Sequence, residues 1–196
     1  MSPDAFLATR RLEPGTAIAQ ARPWNTAPVQ LDSPATLVMT DLTQVKAATT
    51  APSTPLAEAE RIMIYLGVRM LFVVSSMPSI EGLITTTDLR GERVLKLVEQ
   101  RGLHYDELTV ADVMTGLAML DAIELQHMKT ATVGNVIATL KRYGRNHLLV
   151  TEPGSGGVPW RVRGVISRAQ IERQLGAPVD ITEVAGSFAD LGRMLS

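Results

Sequence analysis

Two seven-residue segments of the chain carry the side chains best suited to hold a ligand. Residues 82–88 read Gly-Leu-Ile-Thr-Thr-Thr-Asp, and residues 164–170 read Gly-Val-Ile-Ser-Arg-Ala-Gln. Each is an apolar strand that leads into polar side chains just before a helix. Free backbone N–H groups and the positive end of the helix dipole favour an anion such as phosphate there. The candidate ligand-binding side chains are Thr85, Thr86 and Asp88 in the first segment, and Ser167 and Arg168 in the second.

The acid at position 88 has two interpretations. Asp88 lies three residues past Thr85, so it could accept hydrogen bonds from both hydroxyls of a ribose while a phosphate lies beside Thr85. The same residues also suit a structural role, because Ser and Thr are common N-caps and an acid in the first turn interacts well with the helix dipole. One such segment alone favours the structural role. Because the segment occurs at matching positions of both repeats, the ligand-binding interpretation becomes stronger.

The elements that position these segments occur twice. Each copy begins with a similar short segment, residues 37–40 and 112–115, which we call the head. Each continues with a helix whose start and end are marked by typical capping residues. We predict an N-cap at Thr54 with Pro55 as the first helical residue in one copy, and an N-cap at Thr132 in the other. The helices end at Gly67 and Gly144, and each copy closes with a strand, a strand and a helix. The predicted strands are 71–74, 82–85, 147–150 and 162–167, and the predicted closing helices are 89–100 and 169–175.

This order predicts an α/β (α+β) fold of two β-α-β-β-α repeats, at residues 34–105 and 106–176. A unit of this size is marginal alone, so we expect the two to share a core. Residues 1–33 are predicted to be an arm that lies on the body or stays mobile. Residues 177–196 are predicted to form a tail with a short amphipathic helix, marked by Ile181, Val184, Phe188 and Leu191.

Composition excludes several functions. The 196 residues include no cysteine. The formal net charge of −1 and the low aromatic content of 4% argue against a nucleic-acid binder. Apolar runs are too short to span a bilayer, so we expect a soluble, cytoplasmic protein without membrane insertion. His104, His127 and His147 lack metal-ligand spacing, and no nucleophile motif is present. We therefore predict that the chain is no enzyme and has neither a catalytic residue nor a metal site.

The repeat resembles a tandem pair of CBS domains, the regulatory module named after cystathionine β-synthase. The resemblance rests on Val-Met-Thr at each head, the Thr-capped helix, and the strand that ends Gly-hydrophobic-x-Thr/Ser-x-x-Asp, over about residues 34–176. It implies a pseudo-two-fold pair with two clefts for AMP, ADP, ATP or S-adenosylmethionine, often in a homodimer. It also implies that Thr85 and Ser167 contact phosphate and that Asp88 contacts ribose.

Further contacts follow from the same resemblance. Arg69 is the leading candidate for a phosphate contact, with Arg145 and His147 as its equivalents, and residues 49–51 (including Thr50) and 128–130 would lie over an adenine. Gln170 stands where the second repeat should have its acid. A hydrogen bond to a charged acceptor is stronger by about 1.4 kcal/mol, or about tenfold in affinity, so the Asp88 cleft should be the better nucleotide site.

The sequence thus favours a regulatory module that senses an adenosine-type ligand and acts on an unknown protein in trans. The alternative is a dimerisation or interaction scaffold that binds no ligand. Stabilisation by ligand separates the two hypotheses, because a scaffold should show none.

Overall fold

The computed structural model describes residues 11, 13–16, 27–154, 156 and 160–181. The strands in this part of the chain are β1 (Met39–Asp41), β2 (Thr49–Thr50), β3 (Met70–Val73), β4 (Gly82–Thr85), β5 (Thr115–Gly116), β6 (Ala122–Glu124), β7 (His147–Pro153) and β8 (Trp160–Ser167). The helices are α1 (Leu56–Leu66), α2 (Thr86–Leu89), α3 (Glu92–Arg101), α4 (Val110–Val113), α5 (Leu125–Thr130), α6 (Val133–Tyr143) and α7 (Arg168–Leu175). Short 3-10 turns span Ala35–Val38, Tyr105–Glu107 and Leu117–Met119.

The strands form two four-stranded sheets that exchange their edges. The first sheet has the order β2-β3-β4-β5 and the second has the order β1-β8-β7-β6. In each, one edge strand comes from the head of the other repeat: β5 pairs with β4, and β1 pairs with β8. The α/β fold of two matching repeats is confirmed. The predicted boundary between residues 105 and 106 stays a prediction, since each head lies in the other repeat's sheet.

Three apolar clusters fill the molecule. One lies under α1 and includes Leu108, Val110 and Val113, which come just before β5 in the chain. Another lies under α6 and α7 and includes Val29, Ala35 and Val38 from the start of the chain. The third joins the two sheets, with Met70, Phe72 and Leu83 of the first against Leu149 of the second. The expected shared core is therefore this sheet-to-sheet contact, together with the exchanged heads.

The first helices of the two repeats follow their sequence signals closely. Thr132 caps α6 with a reciprocal hydrogen-bond pair to Asn135, and Gly67 and Gly144 end α1 and α6 in the left-handed conformation that favours glycine. Thr54 does not cap α1, however. Pro55 occupies the N-cap position, where its side chain has no atom that could accept a hydrogen bond, and the chain there forms a bridge to Thr109.

The helix predicted at 89–100 is two helices. α2 ends at Leu89 and α3 begins at Glu92, so the helix-destabilising residue between them, Gly91, marks the break. The closing helix of the second repeat, α7, is continuous and ends at the left-handed Gly176. The two repeats therefore differ at the helix that follows the candidate site.

The described ends of the chain pack on the second repeat. The backbone N–H of Val29 donates to the carbonyl of Gln174 at 3.0 Å, and Val29, Val179 and Ile181 are buried in the same cluster. Residues 27–33 thus lie on the body, one of the two possibilities for the arm. The amphipathic helix predicted around Val184, Phe188 and Leu191 lies outside the described residues. No helix in the described part of the chain is long and apolar enough to cross a membrane.

Candidate functional site

The first strand-to-helix junction is closed by a capping box. One carboxylate oxygen of Asp88 accepts from the backbone N–H of Thr85 at 2.8 Å and from its hydroxyl at 2.7 Å. The backbone N–H of Asp88 donates to the Thr85 hydroxyl oxygen at 3.3 Å. Asp88 is 3% exposed and Thr85 is 5% exposed. The two residues predicted to bind ribose and phosphate therefore first satisfy each other and the start of α2.

The same hydrogen-bond pattern recurs away from the junctions. Thr109 donates to Asp112 from its backbone N–H at 2.9 Å and from its hydroxyl at 2.8 Å. Thr132 donates to the side-chain oxygen of Asn135 in the same two ways. Thr-x-x-Asp/Asn is thus a capping motif at three places in this chain. The spacing of Thr85 and Asp88 is explained by capping before any ligand is considered.

The second junction is built differently. Ser167 precedes α7 but makes no side-chain capping bond. Gln170, in the place of the acid, is buried and donates to Gln174 at 2.9 Å, while Arg173 donates to Gln170. Gln174 in turn donates to the carbonyls of Ala27 and Leu37, each at 3.1 Å. Gln170 therefore belongs to an amide network that holds the start of the chain, which explains the departure from the pattern.

Backbone pairing shows which residues of the two repeats correspond. Met70 lies opposite Thr85, and His147 lies opposite Ser167. The first residue of the following helix donates to Arg69 in the first repeat and to Asn146 in the second. Asn146 is thus the equivalent of Arg69, and His147 is the equivalent of Met70. The expected equivalence of Arg145 and His147 with Arg69 is wrong by one position in each case.

Side chains of both junctions lie on the faces where the two sheets meet. Because side chains alternate along a strand, Thr85 shares the face of Leu83, and His147 shares the face of Leu149. Leu83 and Leu149 belong to the cluster that joins the sheets. Thr86, the first residue of α2, is half-buried, and its N–H donates to the Arg69 carbonyl at 3.0 Å.

One electrostatic interaction acts between the two repeats at this place. Burial, with the positive charge of Arg69 as a smaller cause, lowers the pKa of His147 from 6.5 to about 4. The charge of Arg69 also helps to lower the pKa of Glu172 on α7, where burial acts in the opposite direction. Arg168 forms an ion pair with Glu172 at 2.9 Å. Arg69 of the first repeat thus interacts electrostatically with two residues of the second, His147 and Glu172.

The residues expected over an adenine are only partly brought to this face. Thr50 pairs with Val73, whose side chain belongs to the cluster under α1, so Thr50 faces that helix layer. Its hydroxyl is buried without a hydrogen-bond partner among the described residues. Residues 128–130 are the end of α5. The true equivalents of Thr49 and Thr50 are Ala122 and Ile123, which pair with β7 at the matching register.

Arg145 has a different environment from the one expected for a phosphate contact. Its side chain is 6% exposed and forms an ion pair with the exposed Asp121 at 3.2 Å. Burial lowers the pKa of Arg145, and Asp121 acts in the opposite direction. Arg145 therefore joins the segment before β7 to the residue before β6.

A further charged group was missed by sequence reasoning. Arg163 on β8 donates to both carboxylate oxygens of Asp41 on β1, at 2.8 and 2.7 Å, and to Glu152 at 3.1 Å. The bond to Arg163 holds the pKa of Asp41 well below its usual range. This bidentate pair fastens an exchanged edge strand. No local sequence pattern could predict the Arg163–Asp41 pair, because the two residues are 122 positions apart in the chain.

The two junctions carry groups suited to ligand binding. Among the described residues, no group of three or more His, Asp or Glu side chains is placed to hold a metal ion. The junctions offer hydroxyls, a helix N-terminus, an imidazole and guanidinium groups at the sheet-to-sheet face. Such groups can bind an anion with a sugar or base attached.

Comparisons with known proteins agree with this architecture. The family model of the CBS domain matches residues 38–95. Among solved structures, an uncharacterized conserved protein from Pyrococcus horikoshii is 20% identical, with a TM-score of 0.53 over 79% of this chain and 100% of that one. The CBS-pair protein CBSX2 from Arabidopsis thaliana, solved in complex with AMP, is 17% identical, with a TM-score of 0.47 over 72% and 93% of the two chains.

A CBS-domain containing protein from Agrobacterium tumefaciens is 18% identical, with a TM-score of 0.48 over 66% of this chain and 84% of that one. Of these three, the first has a TM-score above 0.5, and at 20% identity it establishes the fold and no more. A comparison with curated proteins finds no match.

Proposed function

We propose that the chain is a regulatory module that senses an adenosine-type ligand, because the family model of the CBS domain matches residues 38–95 and the two sheets of the chain have matching strand orders. The ligand would be AMP, ADP, ATP or S-adenosylmethionine, held at the face where the two sheets meet. The module would act in trans on another protein, as a homodimer.

One observation carries this proposal: strands that lead to the junctions of both repeats pack together in the apolar cluster that joins the two sheets. Arg69 follows the first helix of one repeat, yet its charge acts on His147 and Glu172 of the other. A ligand at this place would contact both repeats at once. It would therefore favour one relative arrangement of the two sheets over others, which is how a binding event becomes a signal to a partner.

Because Asp88 belongs to a capping box, the substitution that tests its role in ligand binding must preserve the cap. Replacing Asp88 by Ala would remove a cap as well as a ligand contact, and loss of a cap alone costs about 1 kcal/mol. Asp88→Asn avoids this, because Asn135 already accepts the same two hydrogen bonds in the equivalent place beside Thr132. Asp112→Asn is the matched control, since Asp112 has the same bonds to Thr109 and lies outside the junctions.

The experiment is a thermal-shift and calorimetric titration of the wild type and both variants with the four ligands. A ligand at one hundred times its dissociation constant should stabilise the wild type by about 2.7 kcal/mol. We expect Asp88→Asn to weaken binding about tenfold, because it removes the charge of the ribose acceptor, and Asp112→Asn to leave binding unchanged. If no ligand stabilises well-folded protein, the sensor is excluded.

A ligand-free scaffold is the second candidate, and the outer surface of α1 favours it. Ile64 is 73% exposed and Tyr65 is 88% exposed, whereas Lys141 and Arg142 occupy the matching positions of α6. Large exposed apolar side chains on one helix, replaced by charges on its equivalent, are typical of an interaction surface. Absence of any ligand effect, together with a stable dimer that Tyr65→Lys weakens, would select this function.

A further inference from the structure

After α7 ends, the chain turns back on that helix, and one carboxylate holds it there. Gly176 ends α7 in the left-handed conformation, and the backbone N–H of Val179 then donates to Glu172 Oε1 at 3.0 Å. Val179 is 4% exposed and Ile181 is 9% exposed, and both belong to the apolar cluster under α6 and α7. Residues 177–181, which we call the C-terminal segment, are thus docked on the second repeat by apolar packing and by one charged acceptor.

The same carboxylate oxygen also pairs with a candidate ligand-binding side chain. Arg168 Nε donates to Glu172 Oε1 at 2.9 Å, as an i, i+4 ion pair along α7 in which 31% of the Arg168 side chain and 27% of the Glu172 side chain are exposed. Burial raises the pKa of Glu172, but the hydrogen bonds from Val179 and Arg168 and nearby positive charges outweigh it, so this pKa lies below its ordinary value. Glu172 is therefore charged near pH 7 and joins Arg168 to Val179 through a single oxygen atom.

The first repeat has different residues at these two places. With the two junctions aligned by their strand register, Arg168 corresponds to Thr86 and Glu172 corresponds to Arg90. Arg90 lies at the break before α3 and pairs with Glu60 of α1 at 2.6 Å. The carboxylate that joins a junction to the following chain thus belongs to the repeat whose closing helix leads into the C-terminal segment.

We propose that Glu172 latches the C-terminal segment to α7 and that Arg168 controls this latch. The inference rests on the proposed function and deepens it, because Arg168 is a side chain expected to engage an anionic ligand at the second junction. An anion bound by Arg168 removes the counter-charge of a partly buried carboxylate and adds negative charge beside it. The carboxylate then turns towards water and gives up the N–H of Val179. Ligand binding therefore releases the C-terminal segment and exposes Val179 and Ile181 to a protein partner.

The latch is tested first without ligand, by hydrogen exchange of the Val179 amide in the full chain, measured by NMR. Glu172→Ala removes the acceptor and should raise the exchange rate about tenfold. Arg168→Gln leaves the acceptor in place but removes its counter-charge, and it should raise the rate about fivefold. Glu172→Gln keeps an oxygen acceptor that needs no counter-charge. Arg168→Gln added to that variant should therefore have no further effect on the Val179 amide.

Two controls separate the latch from general damage to the helix. The N–H of Val29 donates to the carbonyl of Gln174 on the same helix at 3.0 Å, and its exchange rate should change by less than about twofold in Arg168→Gln. Glu92→Ala breaks another i, i+4 ion pair, with Lys96 of α3, and should leave the Val179 amide unchanged. If Arg168→Gln speeds exchange at Val29 and Val179 equally, or at neither, the latch is overturned.

The link to the ligand is tested with ADP and with adenosine, which lacks the anion, while calorimetry measures binding of each. ADP should speed exchange of the Val179 amide about fivefold in the wild type, as Arg168→Gln does, and should have no such effect in Glu172→Gln. If ADP binds and the Val179 amide does not respond, the inference is overturned while the proposed function stands. The same holds if adenosine releases the segment as well as ADP does. If the results without ligand are as expected but no adenosine-type ligand binds, the latch stands and the nucleotide sensor falls.

Discussion

Burial of His147 predicts a loss of stability in mild acid that one substitution should abolish. The pKa of His147 is lowered to about 4 by burial, with a smaller contribution from Arg69, while its unperturbed value is 6.5. Above pH 6.5 the ring is neutral in both the folded and the unfolded chain, so it does not affect the balance. As the pH falls from 6.5 towards 4, the unfolded chain binds a proton that the folded chain does not, and the folded state loses stability.

The magnitude follows from the two pKa values. At pH 5.5 the unfolded histidine is about nine-tenths protonated and the folded one is almost entirely neutral, so the penalty is about 1.4 kcal/mol. Near pH 7.5 it is below about 0.1 kcal/mol by the same relation. The pKa of the ion-paired Asp41 is also lowered, but stability from such a carboxylate is lost only below its unfolded value of 3.8. A pH of 5.5 therefore isolates the histidine from this acid.

The assay is urea unfolding of the wild type and His147→Met at pH 7.5 and 5.5 without ligand. Met70 fills the matching position of the first repeat with similar burial, so methionine suits the space. The wild type should lose about 1.4 kcal/mol more than the variant between the two pH values, equivalent to about 3–6 °C in Tm. Equal losses in the two proteins would refute the claim that His147 is buried in its neutral form.

Two further predictions concern the exchanged edge strands. A double-mutant cycle of Asp41→Asn and Arg163→Met should give a coupling of about 1–3 kcal/mol in urea unfolding, because the pair is bidentate and three-quarters buried. Arg161→Met should cost under about 1 kcal/mol, because the Arg161 side chain of the ion pair with Glu152 is half-exposed. A coupling near zero would contradict the role assigned to this pair. Gly82→Ala should destabilise by about 1–3 kcal/mol, because its Cβ would overlap a backbone carbonyl oxygen of β5. Gly116→Ala, at the facing position with open space, should change stability by less than about 0.5 kcal/mol, and equal effects of the two would show that β5 does not approach β4 so closely.

Local signals predicted the parts of the fold that depend on neighbouring residues. The start of α6 at Thr132 and its end at Gly144 were predictable, because capping and the left-handed glycine involve residues within one turn. The strand Gly82–Thr85 and its polar end were predictable for the same reason. The break between α2 and α3 also had a local signal, Gly91, which the apolar spacing on either side obscured.

The features that were not predicted depend on distant parts of the chain. Gln170 was interpreted as a weakened ligand residue. Its hydrogen-bond partner Gln174 donates to the carbonyls of Ala27 and Leu37, which are more than 130 positions away and so could not be predicted from the sequence around position 170. The exchange of β1 and β5 is likewise a choice among strand pairings that have similar local sequences. The candidate site was predicted as two separate sequence segments, and the packing of their strands against each other is visible only in the fold.

The exchange of heads bears directly on how a ligand signal would leave the site. Because β1 closes the second sheet and β5 closes the first, neither sheet is complete without residues from the other repeat. A ligand held between the two repeats would therefore act on two sheets that exchange their edge strands and also pack against each other. Motion that separated the junctions would have to bend or strain the pairing of β4 with β5 and of β8 with β1.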